Sequence, residues 1–422
     1  MNASIISMEI TQMRMISTTL LGKIPAISND SKYTINNFED ISPSKVTRYE
    51  SVTSTSAMKS TTAKANTGPL PTMKGASKRL EDKLCCLLGW SRTSSMKSPR
   101  CGHTASVLQN GKVLVVGGRD DNHTFASAEL YDPITKTWTW TGNMTNARYL
   151  HTASVLPNGK VLVTGGVNNV DDCMNTVELY DPSSETWSAI ASMKEKRVNH
   201  TATLMIDGNI LVVGGHNGNK AISTTELFRS SKNGWEAARK MNNNRRMHRA
   251  SGLLNGNILI TGGQSVSKIF NAVELYNSTT NNWGNTKQMA MARIQHTASL
   301  MSDSNVLIAG GNGDKGVEKS VELFLPSKNR CTALRPMTIG RFTHTAVTLK
   351  DDTVLVVGGQ NREGILNHTE LYNPTDNKWS DAGTMAYHRK DHTTCLLLDG
   401  TVLVAGGQNF NAVLNSAELY GS

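Results

Sequence analysis

The chain is poor in charge, in aromatic residues and in proline. Of its 422 residues 18% are charged and 5% aromatic, and prolines number 11. So little proline excludes an extended proline-rich protein. No apolar run reaches the ~18 residues that a membrane span requires. The stretch Met15 to Leu21 is short and interrupted by Ser17, Thr18 and Thr19, so it does not read as a signal peptide. The six cysteines (Cys85, Cys86, Cys101, Cys173, Cys331 and Cys395) contain no CxxC pair. Zinc spacing and a disulfide framework are therefore both absent, and reduced thiols are expected. The net charge of +10 is not gathered into a basic run with interleaved aromatics. That argues against a nucleic-acid partner. No membrane partner is expected either. The compartment stays open, with the cytoplasm favoured and secretion still in play.

Glycine is what the chain has in plenty, with 35 residues. Gly-Gly pairs end at Gly118, Gly166, Gly215, Gly263, Gly311, Gly359 and Gly407, in steps of 48, 49, 48, 48, 48 and 48 residues. Fixed self-similarity of this length marks a repeat architecture. Each copy holds four strand-like runs. A His-Thr-Ala-Ser-Val-Leu run is followed by an Asn, Asp and Gly-rich turn. A Val-Leu-Val-Val run then ends in Gly-Gly, and a loop of about ten residues leads to Ala-Glu-Leu-Tyr. The fourth run starts at Trp. Short strands, regular turn signals and no helical period describe a four-stranded antiparallel meander. Such a sheet cannot hide both faces alone, but copies stacked around an axis can.

The register also predicts how the ring closes. The last copy stops at Tyr420-Gly421-Ser422, before any Trp, while Trp90 lies 48 residues before Trp138. The segment Leu87-Leu88-Gly89-Trp90 is therefore expected to complete the last blade as its outermost strand. The fold class that results is all-β: a seven-bladed propeller of four-stranded antiparallel blades over residues 84–422. Residues 1–83, rich in Ser and Thr and without apolar periodicity, are expected to be a disordered tail.

Gly-Gly, Glu-Leu-Tyr-Asp-Pro, and Trp six residues before Met, repeated every 48 or 49 residues, resemble the kelch repeat. The variant Asn-Gly-Lys-Val-Leu-Val-Thr-Gly-Gly is similar to the propeller of galactose oxidase-like proteins. The resemblance implies the fold; kelch propellers serve many roles, and a protein-binding module is the one expected here. It also raises an alternative, a copper oxidase, a carbohydrate-active enzyme or a lectin. Galactose oxidase-like proteins hold copper with Tyr and His and a Cys–Tyr cross-link, and draw one ligand from a domain after the propeller. Tyr149 and Tyr387 sit near first-strand starts, but no full ligand set can be assembled. No cofactor and no catalytic residue are therefore expected. Residues 1–85 do not resemble the BTB or F-box segment of a ubiquitin-ligase receptor.

Three residue types recur in every copy: an arginine (Arg100, Arg148, Arg197, Arg245, Arg293, Arg341, Arg389), a histidine three residues later, and a glutamate in the third run (Glu129, Glu178, Glu226, Glu274, Glu322, Glu370, Glu418). A residue that every blade needs serves the blade. Each buried Glu must find an Arg, a His or backbone N–H groups, since an unpaired buried carboxylate costs several kcal/mol. Some of the arginines are expected to line the channel mouth, as in kelch propellers that resemble this one. The GxGxxG motif Gly311-Asn312-Gly313-Asp314-Lys315-Gly316 leads to a strand and opens no helix, so it is not a dinucleotide site. Cys331, in place of Trp, is expected to loosen its blade.

The loops after Gly-Gly differ in every copy, so they are free to recognise a partner. The candidate binding residues are Arg119, Asp120, Asn168, Asn169, His216, Asn217, Gln264, Asn312, Gln360, Arg362, Gln408 and Phe410. A protein or peptide partner is expected on the face they share with the segments before each first strand. The propeller itself is expected to be monomeric.

Overall fold

The computed structural model describes residues 89–421 except 169 and 171. The expected tail, the boundary at residue 84 and Leu87-Leu88 fall outside the described residues. Seven four-stranded antiparallel sheets are present. Blade 1 comprises Thr104–Val107, Val113–Val116, Ala128–Asp132 and Thr137–Trp140, and the next five follow the same plan. The first strand of each blade lies against the first strands of both neighbours, which closes a ring around an axis. In all seven blades the second strand is buried on both faces, as expected of an unbroken apolar run.

The hydrophobic cores lie between blades. Leu114, Val116 and Leu130 of blade 1 pack against Val161, Val163 and Tyr180 of blade 2. Val113, Val115 and Tyr131, on the opposite pleat, meet Leu403, Ala417 and Leu419 of blade 7. Alternation along a strand thus serves two neighbours at once. Apart from blade 5, each blade pairs its Trp with an aromatic residue on the third strand, as in Tyr131–Trp138 at 4.9 Å between ring centroids. In blade 5 the residue opposite Phe324 is Cys331, whose thiol pKa burial raises to about 12.

Ring closure follows the register read from the sequence, with one adjustment. Trp90, Ser91 and Arg92 pair with Tyr420, Leu419 and Glu418, so the strand runs from Trp90 to Arg92 and Gly89 precedes it as a turn residue. Gly89 has a φ of +82°, which an extended strand cannot contain. The Trp90 indole is fully buried and donates to Ala382 O and Thr369 Oγ1, both at 3.1 Å, in blade 6. Trp283, its counterpart in blade 4, is only half-buried. Trp90→Ala should therefore lower stability by about 3–5 kcal/mol, as for other buried Trp truncations, and Trp283→Ala by clearly less. Urea unfolding of both variants checks this; equal losses would contradict the closing role of Trp90.

Candidate functional site at the loop face and channel mouth

Two constraints shape the face that carries the loops after Gly-Gly. The first lies beneath the loops. Arg245 is fully buried, and its Nη1 donates to Gly262 O at 2.7 Å and to Ala272 O at 3.1 Å. Those carbonyls stand at the two ends of the blade 4 loop. Its Nη2 donates to Glu274 Oε1 at 2.5 Å. Glu274 in turn accepts from the backbone N–H groups of Asn242 and Asn243 at 2.7 and 3.3 Å. One ion pair therefore ties the crossover from blade 3, both ends of the loop and the third strand into a single knot. The same pair occurs in every blade, from Arg100–Glu129 at 2.9 Å to Arg389–Glu418 at 2.6 Å. The glutamates bond arginine and backbone, and in no blade a ring histidine. All seven arginines are fully buried, so none lines the channel mouth. That corrects the sequence expectation: an arginine with a buried carboxylate beneath the loop is held away from solvent. Burial pulls their pKa values down while the glutamates push them back up.

The second constraint rings the axis. Each repeat histidine reaches a hydroxyl of the preceding blade through Nε2, as in His151 to Thr104 Oγ1 at 2.9 Å and His392 to Thr345 Oγ1 at 2.8 Å. Among the described residues the Nδ1 atoms of all seven are buried without a hydrogen-bond partner. Burial therefore depresses their pKa values, to about 3 for His103 and His200. Just before each histidine the backbone turns left-handed, at Gly102, Leu150, Asn199, Met247, Gln295, Thr343 and Asp391. Several of these residues donate a backbone hydrogen bond to the preceding blade, such as Leu150 N to Gly102 O at 2.9 Å and Met247 N to Asn199 O at 3.1 Å. Sequence reading missed this ring. Its residue types share little, and only Gly102, Asn199 and Asp391 carry the usual signal for a positive φ.

The loop residues divide into two sets. The residue directly after Gly-Gly bridges back to the segment before the first strand, as Arg119 does with Cys101 and Gln264 with Arg246. This leaves shorter tips than a free ten-residue loop would have. At these first positions the Arg119 guanidinium lies 4.7 Å from the Tyr149 ring centroid. Gln264, with its amide turned so that the oxygen faces the guanidinium, accepts from Arg246 Nε and Nη2 at 3.3 and 3.2 Å. Gln360 accepts from Lys390 Nζ at 3.0 Å, and Gln408 donates to Asp391 Oδ2 at 2.9 Å. His216, held down in pKa by burial and then by Arg246, accepts at Nδ1 from Gly218 N. Asn312 belongs to a two-stranded hairpin, Asn312–Gly313 with Gly316–Val317, which is what the GxGxxG segment forms.

The second set lies at the tips. Asp120, Asn168 and Asn217 turn a side-chain oxygen onto backbone N–H groups of their own loops, as Asx turns do. Their oxygens thus shape the loops. Asn169 falls outside the described residues. Arg362 is exposed and donates to Lys315 O of the neighbouring blade at 3.2 Å. Phe410 packs on Gly364 yet stays 65% exposed, and Val170 and Val266, which were not among the expected residues, are 80% and 85% exposed. Their position in loops that vary between copies was the available signal.

Residues 102–311 match a family model for the KLHDC2/KLHL20/DRC7 Kelch-repeats domain. Residues 221–420 match a model for the Attractin/LZTR1 beta-propeller. The chain is a kelch-repeat β-propeller protein. No curated protein matches this kelch chain. A solved structure of a fungal alcohol oxidase of the AA5 family, in complex with copper, resembles it with a TM-score of 0.64 at 15% identity, over 78% of this chain and 76% of that one. Likeness at that identity concerns the fold alone. The donors of the kelch ring do not suit a metal: among the described residues no three His, Cys, Asp or Glu side chains converge on one point, and each ring histidine already has its Nε2 on a Thr hydroxyl.

Two measurements follow from these rings. Glu274→Ala leaves Arg245 buried without its carboxylate, so unfolding stability should fall by about 3–5 kcal/mol; an unchanged melting temperature would refute the pairing. The histidines bear on acid stability. Their folded pKa values lie below the unfolded value of 6.5, so below pH 6.5 the unfolded chain binds protons that the folded chain refuses. Stability is complete above that pH and should fall as pH drops toward 3, by about 1.4 kcal/mol per pH unit for each histidine. Urea titrations between pH 7 and pH 4.5 check the sign; a stability that is flat or rises toward pH 4.5 would contradict it.

Proposed function

We propose that this kelch propeller is a protein-interaction module that engages its partner on the face built by the loops after Gly-Gly and the segments before the first strands. Kelch propeller families commonly bind proteins, in keeping with this reading. The observation that carries it is a contrast within each repeat. The buried Arg, His and Glu are the same in all seven copies, while the residue directly above them is Arg119, Val167, His216, Gln264, Asn312, Gln360 or Gln408. Packing fixes the first group and leaves the second free to be selected for recognition. The exposed tips Val170, Val266 and Phe410 add apolar anchors beside Arg119 and Arg362, and aromatic and arginine side chains are the usual centres of binding energy. The pinned loop bases limit the ordering that binding would require. Nothing in this arrangement favours catalysis over binding.

Affinity capture tests the face. The wild type, the loop-face variant Arg119→Ala/Arg362→Ala/Phe410→Ser, and Ile134→Ser are compared. Ile134 is 90% exposed, in the turn between the third and fourth strands, on the opposite side of the blade. The wild type and Ile134→Ser should retain the same partner, and the loop-face variant should bind at least about 30-fold more weakly, the loss expected for one central contact. Equal retention by all three proteins would remove this face as the binding surface.

A further inference from the structure

The ring of histidine-to-threonine bonds has one break. Thr104, Thr152, Thr201, Thr297, Thr345 and Thr393 follow the histidine in six blades, and each bonds the next blade's histidine at 2.8–3.1 Å. In blade 4 the residue is Arg249. His296, which would have used a threonine there, bonds Thr261 Oγ1 at 2.8 Å instead. Thr261 stands directly opposite Arg249 in the pairing of the first two strands. Of the other six blades, three have Val at this second-strand position, two have Ala and one has Thr. A hydroxyl lost from the first strand is thus replaced from the second, so the fold accommodates Arg249 without orphaning its neighbour.

Arg249 begins the first strand of blade 4, Arg249–Gly252. The first strands surround the axis, so its side chain stands at the loop-face end of the channel. Its Nε donates to His296 O at 2.6 Å. The side chain is exposed to solvent-sized space, yet protein surrounds it closely enough for desolvation to lower its pKa. Both statements hold for a group that lines a narrow channel. Its charge reaches His248, His296 and His344, none of which offers a counter-charge. Among the described residues Arg249 has no carboxylate within ion-pair distance. The seven repeat arginines each have one. An enclosed guanidinium with free N–H donors and no counter-ion is a receptor for an anion.

We propose that the axial channel is an anion site in which the Arg249 guanidinium binds one small anion, a halide or a small carboxylate, at the loop-face end. The occupant completes the pairing that the repeat arginines obtain from glutamate. It does so without reaching the outer loop residues on which partner recognition is proposed, so the two readings stand or fall separately.

Thermal unfolding of the full chain is followed while sodium bromide or sodium acetate replaces sodium isethionate at constant ionic strength. The wild type should show a saturable rise in melting temperature with at least one of the two anions. A response to bromide alone identifies a halide site, and a response to acetate alone a carboxylate site. Arg249→Thr restores the residue of the other six blades and should fold; its apparent affinity should be weaker by at least about tenfold, the loss of one charge-assisted hydrogen bond. Wild-type crystals soaked in bromide supply a readout that needs no variant. If bromide is the responding anion, an anomalous peak should lie on the axis beside Arg249. The same anion response in the wild type and Arg249→Thr, no response of the wild type to either anion, or a bromide response without a peak at Arg249 would overturn the proposal.

Discussion

A guanidinium and a carboxylate that have both left water remain folded only while they hold each other and while every leftover donor and acceptor is met. This kelch propeller sets that condition seven times, once per blade. Each pair does more than neutralise charge. The arginine takes the carbonyls at both ends of a loop, and the glutamate takes two backbone N–H groups of the incoming crossover. Pieces of chain up to 32 residues apart are thereby fixed at one point. Removing either partner would leave a charge in a place with no water to receive it.

The remaining architecture follows from that knot. With the crossovers pinned, the backbone can take left-handed turns at the axis even at Thr343, where a branched side chain resists a φ of +53°. Those turns aim each histidine at the hydroxyl of the preceding blade, so the blades are linked to one another as well as within themselves. The apolar side chains between blades supply the bulk of the burial, and the polar rings specify the angle at which one blade meets the next. With their bases fixed from below, the loop tips above are free to vary. A rigid rim that supports varied tips suits recognition, because little order has to be imposed when a partner arrives.

Most of this architecture was legible in the sequence, since a repeat is its own alignment. The steps between Gly-Gly pairs set the blade count, and the stranded Trp90 revealed how the ends of the ring meet. Burial logic reached the glutamate partners because a carboxylate inside a strand has few options. The same logic did not say which way the arginines point, and the expectation that some face the channel was wrong: an arginine's reach allows both poses until the loop carbonyls are placed. The left-handed ring was invisible because backbone geometry, and not side-chain chemistry, defines it. Arg249 was visible as the one departure from His-Thr, but its meaning required the neighbouring Thr261 to be seen opposite it. Within the candidate face, Asp120, Asn168 and Asn217 were read as binding residues; their oxygens cap their own loops, a local use that competes with recognition.

The dependence of loop and crossover on the buried pairs is tested most directly by amide hydrogen exchange resolved along the native chain. Every blade should show the same contrast. Amides bonded to glutamate, such as Lys97 and Thr145, should exchange only with global unfolding, and the tips around Val170, Val266 and Phe410 should exchange orders of magnitude faster. Crossover amides that exchange as quickly as the tips would show that the ion pairs do not hold the loop bases.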